Sequence, residues 1–285
     1  MKPLRQLTAR HESLALARPF RISRGVKTAA EVILVEISEG AVTGRGEGVP
    51  YPRYGEDVAS ALAAIEGLRA AIESGMTRAE LIAAMPAGAA RNAVDCALWD
   101  LEMRLEGASL FARLGLPTPP GPVATALTVG LDTPAAMAQA AQALADVPLI
   151  KVKVDGTDPC AQICAVREAA PHPRLIVDPN ESWSMTQLEA LQGRLVELRV
   201  DLLEQPLPAG AQEGLRGFRS LVPIAADESI HGAADLDTLP DGYGVINIKL
   251  DKAGGLTAAL DLMREARARG LGIMTGCMVS SSLSI

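Results

Sequence analysis

The chain has 285 residues and a formal net charge of −7, with 48% hydrophobic but only 3% aromatic residues. This length allows one large barrel or two domains. The basic residues form no stripe interleaved with aromatic side chains, which argues against a nucleic-acid partner. No apolar leader follows the first residues and no run of about 18 apolar residues occurs, so we expect neither a secretory signal nor a membrane span.

The first part of the chain is predicted to form antiparallel strands followed by helices. Residues 5–47 have the pattern of strands, and a polar loop at 20–25 places Arg24 beside a glycine. An arginine in such a loop is either a solvated charge or an anchor for a carboxylate on a mobile flap. Helices are predicted at residues 57–73, from residue 77 onward and at residues 89–105.

A proline-rich connector at residues 117–122 is the predicted domain boundary, between a domain of residues 1–118 and one of residues 119–285. After it, strands and helices alternate in seven βα units, which predicts a parallel sheet. Seven units in this length favour a (β/α) barrel over a doubly wound sheet. The predicted strands are residues 123–129, 149–154, 174–178, 200–204, 223–227, 243–249 and 271–275, and the helices include 134–145, 159–170, 186–191 with an extension, 210–218, 233–239 and 256–269.

Polar residues recur near the carboxyl ends of these strands, at the level that forms the catalytic mouth of a barrel. Lys151 and Lys153 are two apart on one strand and so share a face. Exposed, they would be two solvated lysines, but on a buried face each disfavours the charge of the other, and at least one pKa should fall toward neutrality, as a general base requires. The following strands contribute one polar residue each, at steps of 26, 23 and 22 residues: Asp178, Glu204, Asp227 and Lys249.

Three carboxylates at one level of neighbouring strands would repel one another unless a cation joins them. Oxygen ligands alone point to Mg²⁺, with Mn²⁺ as the alternative, rather than zinc. The lysines precede and follow the three acids in strand order, so an amine would lie on each face of a substrate's α-carbon. This arrangement predicts removal of a proton beside a carboxylate through a metal-stabilised enolate, with return of a proton to the opposite face. A single acid at a strand end is more often a helix cap or an ion-pair partner, but six polar residues in register are hard to explain that way.

These residues stand in motifs that resemble the enolase superfamily. Within it the pattern is similar to the muconate-lactonising subgroup, and most of all to the bacterial L-Ala-D/L-Glu (dipeptide) epimerases. The resemblance covers essentially the whole chain and implies a modified TIM barrel of (β/α)7β type with an N-terminal α+β capping domain. The motifs that carry it are Lys151-Val-Lys153, Asp178-Pro179-Asn180, Glu204-Gln205-Pro206, Asp227-Glu228-Ser229, Lys249-Leu250-Asp251-Lys252, and the capping segments at residues 22–25, 50–56, 86–92 and 276–278.

The resemblance implies roles for individual residues. Asp178, Glu204 and Asp227 would hold one Mg²⁺ per subunit, and Lys153 and Lys249 would be the two bases. Lys151 would lower the pKa of Lys153 and contact the substrate carboxylate. Arg24 would bind the side-chain carboxylate of glutamate, while Thr128 and Met278 would line the dipeptide site. The implied setting is recycling of cell-wall peptides in the cytoplasm, by a chain that is a monomer or a homo-oligomer.

Two departures from the family pattern and three alternative functions remain at this point. Pro179 stands where the family usually has alanine. The family also continues beyond residue 285 with a last strand bearing an Asp-x-Asp and a tail, so we expect the barrel domain of this sequence to stop before strand eight.

The alternatives are a lyase resembling o-succinylbenzoate synthase or a cycloisomerase on the same metal site, a metal-free Schiff-base aldolase built on Lys153 or Lys249, and a non-catalytic descendant.

Overall fold

An antiparallel sheet forms the base of the N-terminal domain. The computed structural model describes residues 4–116 and 121–285. In the first of these ranges three strands lie in the order β1-β2-β3, where β1 is Arg5–Ile22, β2 is Gly25–Glu39 and β3 is Val42–Gly48. The predicted loop at 20–25 is much shorter than expected, because Phe20 pairs with Lys27 and the strands run almost to the turn at Ser23 and Arg24.

Helices cover one face of this sheet. Thr77 caps the helix Arg78–Ala84 through a capping box with Glu80, as the sequence predicts. The single helix predicted at 57–73 is two helices, because the chain leaves helical geometry at Leu68, directly after Gly67. The helices are α1 (Val58–Gly67), α2 (Arg69–Glu73), α3 (Arg78–Ala84), α4 (Ala89–Glu106) and α5 (Leu110–Arg113).

Helix α4 lies unusually close to β3 because β3 presents glycines to it. A Cβ atom built on Gly46 would lie 2.1 Å from the carbonyl oxygen of Ala93, and one on Gly48 would lie 2.2 Å from that of Ala89. Only a residue without a side chain permits this approach. The helix therefore packs backbone against backbone on the sheet, and its buried residues join the core of the N-terminal domain.

The second domain is a curled parallel sheet with helices in its connections. Within residues 121–285 seven strands lie in the order β10-β9-β8-β7-β6-β5-β4. Each strand is parallel to its neighbours, and the intervening helices cover the outside of the sheet. The strands are β4 (Leu127–Val129), β5 (Leu149–Lys153), β6 (Arg174–Asp178), β7 (Val200–Glu204), β8 (Ile224–Ala226), β9 (Val245–Lys249) and β10 (Gly272–Gly276); the helices are α6 (Pro134–Gln142), α7 (Pro159–Ala169), α8 (Met185–Glu197), α9 (Leu250–Ala253) and α10 (Leu256–Ala268).

Some predicted elements differ from the structure. The first strand of the sheet is only three residues long, and the helices predicted at 210–218 and 233–239 are short 3₁₀ turns. Residues 210–218 contain three glycines, and residues 233–239 lie between Gly232 and Pro240, which shortens regular structure in both stretches. Most of the predicted domain boundary at 117–122 falls on residues 117–120, outside the described residues. No helix in the described ranges is long and apolar enough to cross a membrane.

Buried polar contacts fasten the N-terminal domain to the barrel sheet. Asp251 accepts hydrogen bonds from the backbone N–H of Val49 at 2.9 Å and from the side-chain amide of Asn92 at 2.8 Å. Asp95 accepts two hydrogen bonds from Thr257, at 2.9 and 2.7 Å. These contacts hold α4 against α9 and α10, so the N-terminal domain forms a cap beside the carboxyl ends of the barrel strands.

Candidate active site

The polar residues predicted at the strand ends meet at one mouth of the sheet. Lys153 ends β5 and pairs in register with Asp178, the last residue of β6. Glu204 ends β7, Asp227 follows β8, and Lys249 ends β9. A cavity of about 750 Å³ opens here between the barrel and the cap. The sequence spacing therefore predicted the convergence of these side chains correctly.

Two lysines share one carboxylate on the first side of this mouth. The ammonium nitrogen of Lys151 lies 2.8 Å from Oδ2 of Asp178 and 2.7 Å from Oε2 of Glu204. The ammonium nitrogen of Lys153 lies 2.6 Å from the same Asp178 oxygen and 2.8 Å from Oδ1 of Asn180. Asp178 and Glu204 are fully buried, so each needs a positive partner in this low-dielectric site.

The other side of the mouth repeats this pairing with different residues. The ammonium nitrogens of Lys249 and Lys252 lie 2.6 and 2.7 Å from the two carboxylate oxygens of Asp227. Asn247 donates a hydrogen bond of 2.9 Å to Glu204. Strand order thus places Lys153 before the three acids and Lys249 after them.

The pKa values of the two lysines on β5 move in opposite directions. Burial lowers the pKa of Lys153, and the neighbouring charge of Lys151 lowers it further. Burial also disfavours the charged form of Lys151, but the carboxylates of Asp178 and Glu204 outweigh it and raise the pKa of Lys151. One lysine is therefore adjusted toward a neutral amine and the other toward a permanent cation, which agrees with the expectation that one pKa falls. The larger cause of the lowered pKa of Lys153 is burial, not the charge of Lys151.

The donor set fits a hard divalent cation in charge and in ligand type. Among residues 4–116 and 121–285 no three acidic, histidine or cysteine side chains are arranged as a finished coordination shell. The Lys151 ammonium instead lies between Asp178 and Glu204. One oxygen of the neighbouring Glu228 is buried without a hydrogen-bond partner, so the site holds more carboxylate oxygen than its amines satisfy. Clustered carboxylate oxygens on neighbouring strands are the ligands that Mg²⁺ prefers.

Arg24 reaches the site from the cap but is already bonded to the protein. Its guanidinium donates to the carbonyl oxygen of Asn180 at 2.9 Å, to Glu181 at 3.0 Å and to Glu228 at 2.6 Å. Asn180 and Glu181 have positive φ angles of 48° and 69°, a conformation that is uncommon for residues with side chains. This turn directs the Asn180 side chain to Lys153 and its carbonyl oxygen to Arg24, so it links the cap to Lys153.

The two remaining predicted residues line the cavity at the two edge strands of the sheet. Thr128 lies on β4 and is exposed to it. Met278 follows β10, lines the same cavity and is only 8% exposed, because it packs into a cluster with Val32 and Val49 of the cap.

Sequence reasoning gave no role to several polar residues of the mouth. Asn247 precedes Lys249 by two positions on β9, so strand alternation alone would have placed both on one face. Glu228 and Lys252 follow predicted residues so closely that the motifs contained them. Their partners, however, depend on loops that cross from one strand to another. Two cap residues also line the cavity: Arg53, which the capping segment 50–56 contains without a role of its own, and Lys27, which stands in no motif that indicates a site.

The comparisons with known families agree with this architecture. Residues 4–115 match the N-terminal domain of mandelate racemase and muconate lactonizing enzyme, and residues 135–285 match the enolase C-terminal domain-like family. The chain belongs to the enolase superfamily.

Two similar proteins have stated activities. The L-Ala-D/L-Glu epimerase of Escherichia coli K12 is 46% identical over 99% of this chain and 88% of its own length. The N-acetyl-D-glutamate racemase of a Pseudoalteromonas species is 43% identical over 89% of this chain and 81% of its own length.

Similar solved structures are also dipeptide epimerases or their homologues. An Agrobacterium tumefaciens enolase family member with homology to dipeptide epimerases, which contains sodium and L-Ala-L-Glu, has a TM-score of 0.94 at 46% identity, over 98% of this chain and 86% of its own. The dipeptide epimerase of Enterococcus faecalis with Mg and L-Leu-L-Tyr has a TM-score of 0.89 at 30% identity, over 99% and 84% of the two chains.

Proposed function

We propose that this chain is a Mg²⁺-dependent epimerase of dipeptides that inverts the glutamate α-carbon of L-Ala-D/L-Glu by two-base proton transfer. The observation that carries this proposal is the placement of Lys153 and Lys249 on opposite sides of a row of three buried acids. A lyase needs one base, whereas inversion needs one amine for each face of the α-carbon. The activities of the two similar proteins, at 46% and 43% identity, support the same reaction class.

The two bases differ in the protonation state that their surroundings favour. Burial lowers the pKa of Lys153, so its Nζ is suited to remove the α-proton. Burial acts in the same sense on Lys249, but Asp227 outweighs it and raises the pKa of Lys249, so its Nζ is suited to supply a proton. In the reverse direction the substrate presents its proton to the other face, and the two amines exchange roles.

The acids and Lys151 would prepare the substrate's carboxylate. Asp178, Glu204 and Asp227 would hold the cation, which, when bound, supplies positive charge that stabilises the enolate. Lys151 stays protonated beside Asp178 and Glu204 and contributes a further positive charge to the α-carboxylate. Asn180 keeps the Lys153 amine in place through its side-chain oxygen.

The cavity wall and the cellular setting complete the proposal. Thr128 and Met278 line the dipeptide site, and Arg24 is one of the basic residues on the cap that would attract an acidic substrate. We assign the capping domain to residues 1–118 and the barrel domain to residues 119–285. We infer a cytoplasmic enzyme that acts in recycling of cell-wall peptides, because the proposed substrate is a dipeptide of that class.

Proton exchange in D₂O tests the function directly. We expect L-Ala-L-Glu, incubated with the protein and Mg²⁺, to yield L-Ala-D-Glu that carries deuterium at the glutamate α-carbon, as read by NMR and mass spectrometry. N-acetylglutamate, assayed in parallel, determines whether a free amino terminus is required. An alkene product formed with loss of water would establish a lyase instead, and no exchange with either substrate would contradict the proposal.

A further inference from the structure

Lys27 is a cation on the cavity wall, and residues 4–116 and 121–285 offer it no acidic partner. Its ammonium nitrogen lies 4.6 Å from the centroid of the Tyr51 ring, and in the described part of the chain it forms no ion pair with a carboxylate. Every other basic residue that lines this cavity is paired with an acid: Arg24, Arg53, Lys151, Lys153 and Lys249.

The environment of Lys27 is unfavourable for a charge without a counter-ion. The residue lies on β2 of the cap, where it is half-buried in the cavity wall, and burial lowers its pKa. The face of an aromatic ring attracts a cation only weakly compared with a carboxylate. A negative group entering the cavity would therefore gain an ion pair at Lys27 without breaking one.

Arg24, in contrast, already has two acidic partners. Its guanidinium is bonded to Asn180, Glu181 and Glu228, and the side chains of the two acids are 7% and 2% exposed. The positive charge of Arg24 is already shared between two carboxylates, so a substrate carboxylate at its remaining N–H groups would gain less than one at Lys27. Displacing either acid instead would leave a buried carboxylate with fewer positive partners. Glu181 could not easily move, because it also accepts two hydrogen bonds from Arg53 and one from the backbone N–H of Ala209.

We propose that Lys27 is a specificity-determining residue whose ammonium group binds the side-chain carboxylate of the substrate's glutamate. Arg24 keeps its protein partners and holds the β1–β2 turn over the site. This proposal rests on the proposed dipeptide epimerase function and names the residue that makes the site prefer an acidic side chain. On this assignment, the charge of Lys27 makes dipeptides with an acidic second residue bind more tightly than their neutral isosteres.

A pair of substrates and a set of variants test the assignment. L-Ala-L-Glu and L-Ala-L-Gln differ by one charge at nearly equal size. For Lys27→Met we expect the KM for L-Ala-L-Glu to rise at least tenfold, with the KM for L-Ala-L-Gln and both kcat values within twofold of wild type. Lys27→Arg should restore the low KM, because it keeps the charge. Arg18→Met is the matched control, since Arg18 is an exposed cation of the neighbouring strand that does not line the cavity.

Direct binding makes the result independent of turnover. Calorimetric titration of both dipeptides into wild type and Lys27→Met measures the affinities alone, and circular dichroism verifies that the variants are folded. Equal changes for the two dipeptides, no change for either, or a charge-selective loss in Arg24→Met but not in Lys27→Met would overturn the assignment. A wild type that binds L-Ala-L-Glu selectively but exchanges no α-proton would instead contradict the epimerase function and leave the Lys27 subsite established.

Discussion

Lys151 and Lys153 place their ammonium nitrogens 2.8 and 2.6 Å from the same oxygen of Asp178. This shared oxygen neutralises part of two positive charges with one negative charge, and Glu204 completes the neutralisation at Lys151 only. The consequence is an unequal pair: Lys151 remains a cation, while Lys153 is the one of the two adjusted toward a neutral base. Strand alternation brings the two amines together, but the acids on the next strands determine which of them has the lowered pKa.

Removal of either proposed base should separate inversion from proton exchange. We expect Lys249→Ala to lose epimerase activity by about 10³-fold or more, in the range that general acid–base catalysis supplies, while Lys153 still exchanges the α-proton of one epimer with D₂O. Lys153→Ala is the matched variant and should keep exchange with the opposite epimer. In both variants the paired acid keeps another lysine, Lys252 for Asp227 and Lys151 for Asp178, so folding should persist.

The measurement is the loss of the glutamate α-proton signal by NMR, started from each epimer separately. Retained inversion in either variant would remove that lysine from the two-base mechanism.

Removal of the metal distinguishes the proposed chemistry from a Schiff-base reaction. Treatment with EDTA should abolish epimerisation, and Mg²⁺ in excess over the chelator should restore it, because enolate formation beside a carboxylate needs strong positive charge. A Schiff-base aldolase on Lys153 or Lys249 would be indifferent to EDTA and would be trapped by borohydride with a carbonyl substrate. Full activity in EDTA would therefore rule out the metal-dependent reaction.

Asp251 should make the stability of the protein depend on pH in a defined window. Burial raises the pKa of Asp251 to about 6, although Val49 and Asn92 donate hydrogen bonds to it. The folded state therefore retains a proton that the unfolded state releases near pH 4, and the free energy of unfolding falls as pH rises from about 4 to about 6. Asp251→Asn keeps the accepting oxygen and removes the titration. We expect the variant to gain about 2–3 kcal/mol relative to wild type above pH 7, and much less at pH 4.

Urea denaturation at several pH values and constant ionic strength measures this difference. A difference between variant and wild type that stays constant with pH would show that Asp251 titrates normally in the folded state.

The close approach of α4 to β3 predicts an unequal response to two glycine substitutions. Gly46→Ala would place a methyl group about 2 Å from the Ala93 carbonyl oxygen, and we expect a loss of about 3 kcal/mol or more in the free energy of unfolding. Gly67→Ala, at the end of α1, meets no atom within 4 Å and should be neutral or stabilising by up to about 1 kcal/mol. Chemical denaturation of both variants provides the comparison, and equal effects would contradict the packing argument.

The residues at the strand ends were predictable because they follow local rules. A parallel strand has a fixed direction and an alternating face, so Asp178, Glu204 and Asp227 could be placed at one level from their spacing alone. The capping box at Thr77 is a local pattern of the same kind. The ends of helices and strands were predicted less well. The helix predicted at 57–73 breaks at Leu68, and β4 is shorter than the predicted strand.

The contacts between the cap and the barrel could not be predicted in this way. Arg24 meets Glu228 across 204 positions of sequence, through loops whose paths depend on the whole fold. The left-handed turn at Asn180 and Glu181 has no glycine to indicate it. Whether a described acidic residue lies near Lys27 depends on how several distant segments pack around it, and no sequence motif indicates that none does.

The cap is anchored to the barrel through α4, and the residues that anchor it differ from the hairpin residues that face the cavity. Arg91, Asn92 and Asp95 all belong to α4 and bond to the segment from Asp251 to Thr257, so the bulk of the cap is fixed to the barrel. The tip of the β1–β2 hairpin carries both Arg24 and Lys27 and bears none of these anchors. Arg24 bonds to Asn180, which holds Lys153, whereas the described residues give Lys27 no acidic partner. Substitution at Lys27 alone can therefore change the preferred side chain while the proposed proton-transfer residues keep their contacts, which makes this position the natural place to engineer new preferences.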